Sequence, residues 1–211
     1  MNGPAPSAPR EHPAADPRRA VVASLRSMSE EAAASGPRSV SAREAALDKA
    51  VVAECRYLLR LLSTRRRSEG ELRARLRERE VPADVAHEAM ARTARAGLLD
   101  DAAFARDWVS QRRALRGLSD EALRRELHAK GVAHEHIATA LALGEDDEED
   151  RARALVRDRL RRDEAALLAD VDGSFRGRVA RRLDGHLRRK GYDGALALRV
   201  ISAELRALTG R

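Results

Sequence analysis

Several residue groups in this 211-residue chain have types and spacings that could do chemistry. Asp100 and Asp101 are adjacent carboxylates in GLLDDAAFARDWVSQRR, residues 97–113. Two carboxylates can divide general-acid and general-base work. His134 and His136 flank Glu135 and could begin a metal site. Cys55 is the single thiol. The cations cluster as Arg65, Arg66 and Arg67, then Arg112 and Arg113, then Arg124 and Arg125. A further group is Arg181, Arg182, Arg188, Arg189 and Lys190. Guanidinium groups fork onto phosphate or carboxylate oxygens.

A plainer role competes with each. An Asp before a helix accepts hydrogen bonds from its first turn and suits the helix dipole, and that covers the Asp pair. Phe104 and Trp108 are four residues apart and share one helical face, so they read as core. On a helix His134 and His136 point to different sides, and no third ligand is evident. Cys55 lies in an apolar stripe with no partner for a nucleophile triad. His87, His128 and His186 sit beside charged neighbours and read as surface. There is no phosphate-cradling glycine loop and no dinucleotide fingerprint. We therefore expect no enzyme, no metal and no cofactor. The arginines remain, either as a solvated face interleaved with Glu or as a binding surface. The 181–190 group has the fewest acids around it.

The elements that must position these cations read as helices. Apolar residues are 43% of the chain but aromatics only 2%, so any core is built from Leu, Val, Ala and Met. Abundant Ala, Leu, Arg and Glu lose little freedom in a helix, and no alternating β-branched run appears. The fold class is all-α. Ser41 with Glu44 is a capping-box signature opening a helix whose stripe is Leu47, Val51, Val52, Cys55, Leu58, Leu59 and Leu62.

A pattern then recurs. Leu72, Leu76, Val81, Ala86 and Met90 stand in one register. Leu123, Leu127, Val132, Ile137 and Leu141 repeat it, as do Leu183, Leu187, Tyr192, Ala197 and Ile201. Each set predicts a short helix, a turn and a second helix. Gly131 and Gly191 suit the second and third turns. Glu80, followed by Val81 and Pro82, occupies the first, so that stop is expected to be made differently. Gly97 ends the first set. Ser68-x-x-Glu71 reads as a capping box, and Ser119 and Asp193 as caps.

The expected organisation is a disordered tail at 1–43, which holds six of the seven prolines, then a leading helix and first module at 44–96. A Trp-bearing helix and second module follow at 97–144, an acidic linker at 145–150, and a third, basic module at 151–211. The formal net charge is +7. Residues 151–211 carry 16 basic and 8 acidic side chains, a net of +8, whereas residues 145–150 are all acidic. A basic balance points to acidic partners, nucleic acid first. The lone cysteine fits a reducing cytoplasm. No apolar run would span a bilayer, and the N-terminus has no secretory h-region.

RRRSEGELRARL, then GLLDDAAFARDWVSQR, then LSDEALRRELHAKGV, then LRRKGY, in this order, resemble the RecX family of regulatory proteins. The resemblance spans about Lys49 to Leu205. It implies three tandem three-helix modules in an elongated, curved, right-handed or solenoid-like rod. It also implies a cytoplasmic regulator that binds the RecA recombinase and the RecA–DNA filament. A monomer is the default expectation, since the sequence gives no sign of an oligomer. Such a regulator modulates, most often inhibits, RecA ATPase, strand exchange and coprotease activity in DNA repair, recombination and the SOS response. The alternative is a stand-alone helical module that binds single- or double-stranded DNA, since three-helix units with basic faces resemble helix-turn-helix designs.

Overall fold

A computed structural model describes residues 41–143 and 147–210. The tail expected at 1–43 lies outside the described residues up to position 40, as do linker residues 145 and 146. The described chain forms ten helices and no strand, so the fold is all-α.

The chain divides into two compact units. One runs through Arg66 and resumes over Arg75–Leu99; the other comprises Arg67–Ala74 and everything from Asp100 onward. In the first, α1 (Ala42–Thr64) starts with the expected capping box. The Glu44 N–H donates to the Ser41 hydroxyl and the Ser41 N–H to the Glu44 carboxylate. α1 buries Val51, Cys55, Leu58, Leu59 and Leu62 and packs on α3 (Ala83–Arg95), which buries Val85, Ala89, Met90 and Thr93. The α3 stripe centres on Val85 and Ala89, and Ala86 is only half-buried. α2 (Glu69–Glu78) begins in one unit and ends in the other.

The turn after α2 corrects one expectation. Glu80 adopts the left-handed conformation itself, at φ 54°. The Glu80 N–H donates to the Arg77 carbonyl and the Val81 N–H to the Leu76 carbonyl. Gly131 makes the corresponding bonds to His128, with Val132 to Leu127; Gly191 makes them to Arg188, with Tyr192 to Leu187. All three turns are the same double-bonded helix stop. Gly97, at φ 67°, ends α3 in like manner.

In the second unit, α4 (Asp101–Arg116), α5 (Asp120–Ala129) and α6 (His134–Ala142) enclose Phe104, Ala105, Val109, Leu123, Leu127, Val132, Ile137 and Ala140. Trp108 packs at the margin of this core, stacked on Phe104 with ring centroids 5.7 Å apart. α7 (Glu148–Leu160), the short α8 (Glu164–Leu168), α9 (Ser174–Arg189) and α10 (Gly194–Thr209) enclose a larger core. Its members include Val156, Leu160, Val179, Leu183, Leu187, Tyr192, Val200 and Ile201. Glu148, Glu149 and Asp150 of the acidic block form the first turn of α7, where carboxylates complement the helix dipole.

Candidate partner-binding surface

Two joints hold the basic elements of the second unit in place. At the first, Ser68 is fully buried. Its hydroxyl accepts from the Glu71 N–H at 3.1 Å and donates to the Lys130 carbonyl at 2.7 Å. The Glu69 N–H donates to the Asp101 carboxylate at 2.8 Å. The Lys130 ammonium pairs with Glu71 at 2.7 Å and lies 4.2 Å from the Trp108 ring centroid. At the second, Ser119 caps α5 through Ala122, and its own N–H donates to the Lys190 carbonyl at 3.0 Å. The Tyr192 hydroxyl donates to the Gly117 carbonyl. The Lys–Gly turns of α5 and α9 thus each dock on a serine that starts another helix.

The Asp pair is consumed by this architecture. Asp100 caps α4, accepting from the Ala103 N–H at 2.7 Å. Asp101 clamps the start of α2, and burial raises its carboxyl above the usual range against the opposing pull of the Glu69 N–H. Cys55 is buried with its sulfur 3.8 Å from the Ala89 carbonyl, and burial pushes the thiol up, which leaves little thiolate to react. Among the described residues no group of three or more His, Cys, Asp or Glu side chains is placed to hold a metal ion. No described helix is long and apolar enough to cross a membrane.

The cations singled out in the sequence divide into two kinds. Some are committed within the fold. Arg112 stacks 4.2 Å over Trp108 and pairs with Glu126. Arg113 is 13% exposed and holds Asp120 and the Leu141 carbonyl, each at 2.9 Å. Lys190 donates to the Arg116 carbonyl, and burial followed by the nearby Arg159 lowers its pKa. Arg124 pairs with Glu121 at 2.5 Å and Arg188 with Asp184 at 2.8 Å. Arg182 pairs with Asp163. Arg65, Arg66 and Arg67 lie in the segment between α1 and α2, and none is a free cation. Arg125, Arg181 and Arg189 are the second kind. They are exposed and have no ion-pair partner among the described residues.

Sequence reasoning missed the residues that complete these arrangements. Arg151 joins Arg113 on Asp120, at 2.5 Å, and Glu148 accepts from the Asp120 N–H at 2.8 Å. These contacts cross 28 to 31 residues, beyond the reach of helical periodicity. His186, expected as an ordinary surface residue, is half-buried. Burial, then Arg159, Lys190 and Arg189, hold its imidazole down at about 4. No carboxylate is among the causes, so the potential here is positive. Between α4, α6 and α7 lies an open cleft of about 660 Å³, floored by Val109, Ala140, Leu143 and Leu155 and edged by Arg106 and Arg151. The surface can therefore offer cations on one face and an apolar hollow on another.

Comparison with known proteins gives one consistent result. The RecX first three-helix domain matches residues 56–92, and the RecX second three-helix domain matches residues 100–141. The chain is 47% identical over 150 residues to a regulatory protein RecX of Mycobacterium avium, covering 71% of this chain and 83% of that protein. It is 45% identical to one of Mycobacterium tuberculosis (strain H37Rv), over 71% of this chain and 84% of that protein. The fold is similar to the crystal structure of RecX from Lactobacillus salivarius, with TM-score 0.61 and 19% identity. That match covers 76% of this chain and 99% of the other.

Proposed function

The chain belongs to the RecX family of regulatory proteins, and we propose that it regulates the RecA recombinase by binding RecA and the RecA–DNA filament. On this proposal it acts by occupancy and not by bond-making chemistry, and it lowers RecA ATPase, strand-exchange and coprotease activity in the cytoplasm. The observation that carries the proposal is the extent of the likeness: 47% identity across 150 residues, beside separate matches to both three-helix domains.

The commitments of the side chains support this. The carboxylate pair that could have served catalysis caps α4 and clamps α2. What is left over is recognition chemistry: exposed guanidiniums at Arg125, Arg181 and Arg189, and a cleft that fits a partner's apolar side chains. The test is RecA ATPase on single-stranded DNA with increasing amounts of this protein. Loss of activity well below equal stoichiometry is expected. Full ATPase at a molar excess overturns the proposal.

A further inference from the structure

The outer side of α9 is built from two adjacent rows of residues at four-residue steps. One row is Gly177, Arg181, Gly185 and Arg189; the other is Arg178, Arg182 and the half-buried His186, with Lys190 just past the helix end and bonded to the Arg116 carbonyl. Neither row contains a carboxylate. The only acid of the helix, Asp184, is on another row and pairs with Arg188; Asp163 reaches Arg182 from outside the helix. Arg181 and Arg189 are exposed and have no ion-pair partner among the described residues.

The two glycines are a second, independent observation. Glycine inside a helix weakens it, because the unfolded chain has most freedom there. A protein keeps such a residue where a backbone must come close. Gly70 has that reason within the fold: a Cβ there would collide with the Lys130 carbonyl and lie 2.7 Å from the Gly131 Cα. Gly177 and Gly185 have no such reason. A Cβ at 177 would meet only Arg181 Nη1 at 3.7 Å, and one at 185 only Arg189 Nη1 at 3.4 Å. Both neighbours are the free ends of flexible side chains. The bare stretches of α9 are thus roofed only by guanidiniums that can swing away.

We propose that this face of α9 seats the sugar–phosphate backbone of a nucleic-acid duplex. The backbone approaches the helix closely at Gly177 and Gly185, while Arg181 and Arg189 swing out to fork onto its phosphodiester oxygens. Charge complementarity selects a polyanion, and the composition of the face narrows it further. None of the exposed large apolar side chains lies on α9, so the face lacks the apolar centre that a protein partner would need. Neither row carries Phe, Tyr or Trp, and the one imidazole, His186, is half-buried, so the face offers no open row of rings for the stacked bases of a single strand. Burial is the main cause of the lowered His186 pKa, and the positive charges of Arg159, Lys190 and Arg189 that add to it stand at the same helix end. From Arg178 to Arg189 the helix rises about 16 Å, the length of about four to five base-pair steps along a duplex axis.

The experiment uses the full chain and a random-sequence duplex DNA oligonucleotide without RecA, so its outcome is separate from that of the RecA proposal. Gly177→Ala with Gly185→Ala should fold, melt at or above the parent temperature, and bind duplex about tenfold more weakly. Arg181→Gln with Arg189→Gln should also bind more weakly, and should reduce the slope of log K against log salt by about 1.8. Parent-like duplex affinity in the folded alanine variant overturns the close approach. An unchanged salt slope in the glutamine variant overturns the phosphate contacts. Tighter binding to a single-stranded oligonucleotide overturns the duplex assignment. Binding of the parent to an acidic peptide such as polyglutamate but not to duplex would make the partner a protein.

Discussion

The turn after α2 and the turn after α5 close with corresponding hydrogen bonds, yet one is built on Glu80 and the other on Gly131. Both residues are left-handed, at φ 54° and 73°. That conformation costs a residue with a Cβ on the order of 1 kcal/mol, a strain the first turn bears. Backbone conformation alone therefore does not explain why glycine is required at the second. The surroundings do. A Cβ on Gly131 would lie 2.9 Å from the Gly70 Cα, and one on Gly191 would lie 2.7 Å from both the Ala122 Cβ and the Ser119 hydroxyl. Glu80 is exposed. Glycine at these turns is demanded by docking, with the positive φ as a lesser constraint.

The sharpest way to break this comparison is to put the missing atom back. Gly131→Ala is expected to destabilise the protein by about 2–4 kcal/mol, since the added methyl meets backbone that cannot rotate aside. Gly191→Ala should cost about as much, because the Ala122 Cβ, 2.7 Å away, is fixed to its own backbone. Urea denaturation of both variants is the measurement. A loss below about 1 kcal/mol for Gly131→Ala would mean that left-handed geometry alone explains the glycine.

The two docked joints differ in what their serine contributes, which gives a finer and smaller test. The Ser68 hydroxyl both caps α2 and satisfies the Lys130 carbonyl. The Ser119 hydroxyl caps α5, but the Lys190 carbonyl is satisfied by the Ser119 backbone N–H, which survives mutation. Ser119→Ala should cost about 1 kcal/mol, an ordinary lost cap. Ser68→Ala should cost about 2 kcal/mol, because it also strips a bond from a backbone carbonyl. Equal losses in thermal or urea unfolding would show that the Lys130 carbonyl finds another donor.

How much of this was legible beforehand depends on the range of the interaction. Helices, the Ser41 capping box and the cores around Leu123–Ile137 and Leu183–Ile201 follow from residues within a few positions of one another, and periodicity reports those. The same logic misplaced the first core by one residue, at Ala86 in place of Val85 and Ala89, where only tertiary packing decides. Glu80 suggests a different kind of stop because glycine is the usual left-handed residue, yet the hydrogen bonds tolerate glutamate at this exposed position. Arg113 illustrates the limit for the surface. Its charge was visible, but its commitment to Asp120 and to the Leu141 carbonyl 28 residues away was not. Gly177 and Gly185 were visible in the chain, yet their openness needed coordinates.

The Lys130 and Lys190 turns also differ in charge. Lys130 faces Glu71, whereas Lys190 sits with Arg159 and His186 near by. The second carries a histidine that should respond to mild acid. The His186 imidazole falls from its ordinary 6.5 to about 4 in the folded protein. Between those values the unfolded chain binds a proton that the folded chain does not, so stability falls as pH drops through this window and levels off below it. For a half-buried ring screened by solvent the loss is about 1 kcal/mol, or about 2–4 °C in Tm. His186→Gln should flatten the Tm profile between pH 6.5 and 4. A profile with the parent's slope would place the acid sensitivity elsewhere.

The smallest effect returns to the first turn. Glu80→Gly removes the Cβ from a left-handed residue and should stabilise the protein, although glycine also loosens the unfolded chain and offsets part of the gain. The net is expected to be about 0.5–1 kcal/mol in favour of the variant, opposite in sign to alanine at Gly131. The neighbouring Arg79, bonded to Glu54 and stacked 4.2 Å over Tyr57, should keep those contacts, because they do not use the Glu80 side chain. Urea midpoints at matched slope measure the change. A destabilised Glu80→Gly variant would mean that the glutamate side chain contributes more than its strained backbone costs. The contrast between strained and docked turns would then have to be replaced by one between two kinds of side-chain contact.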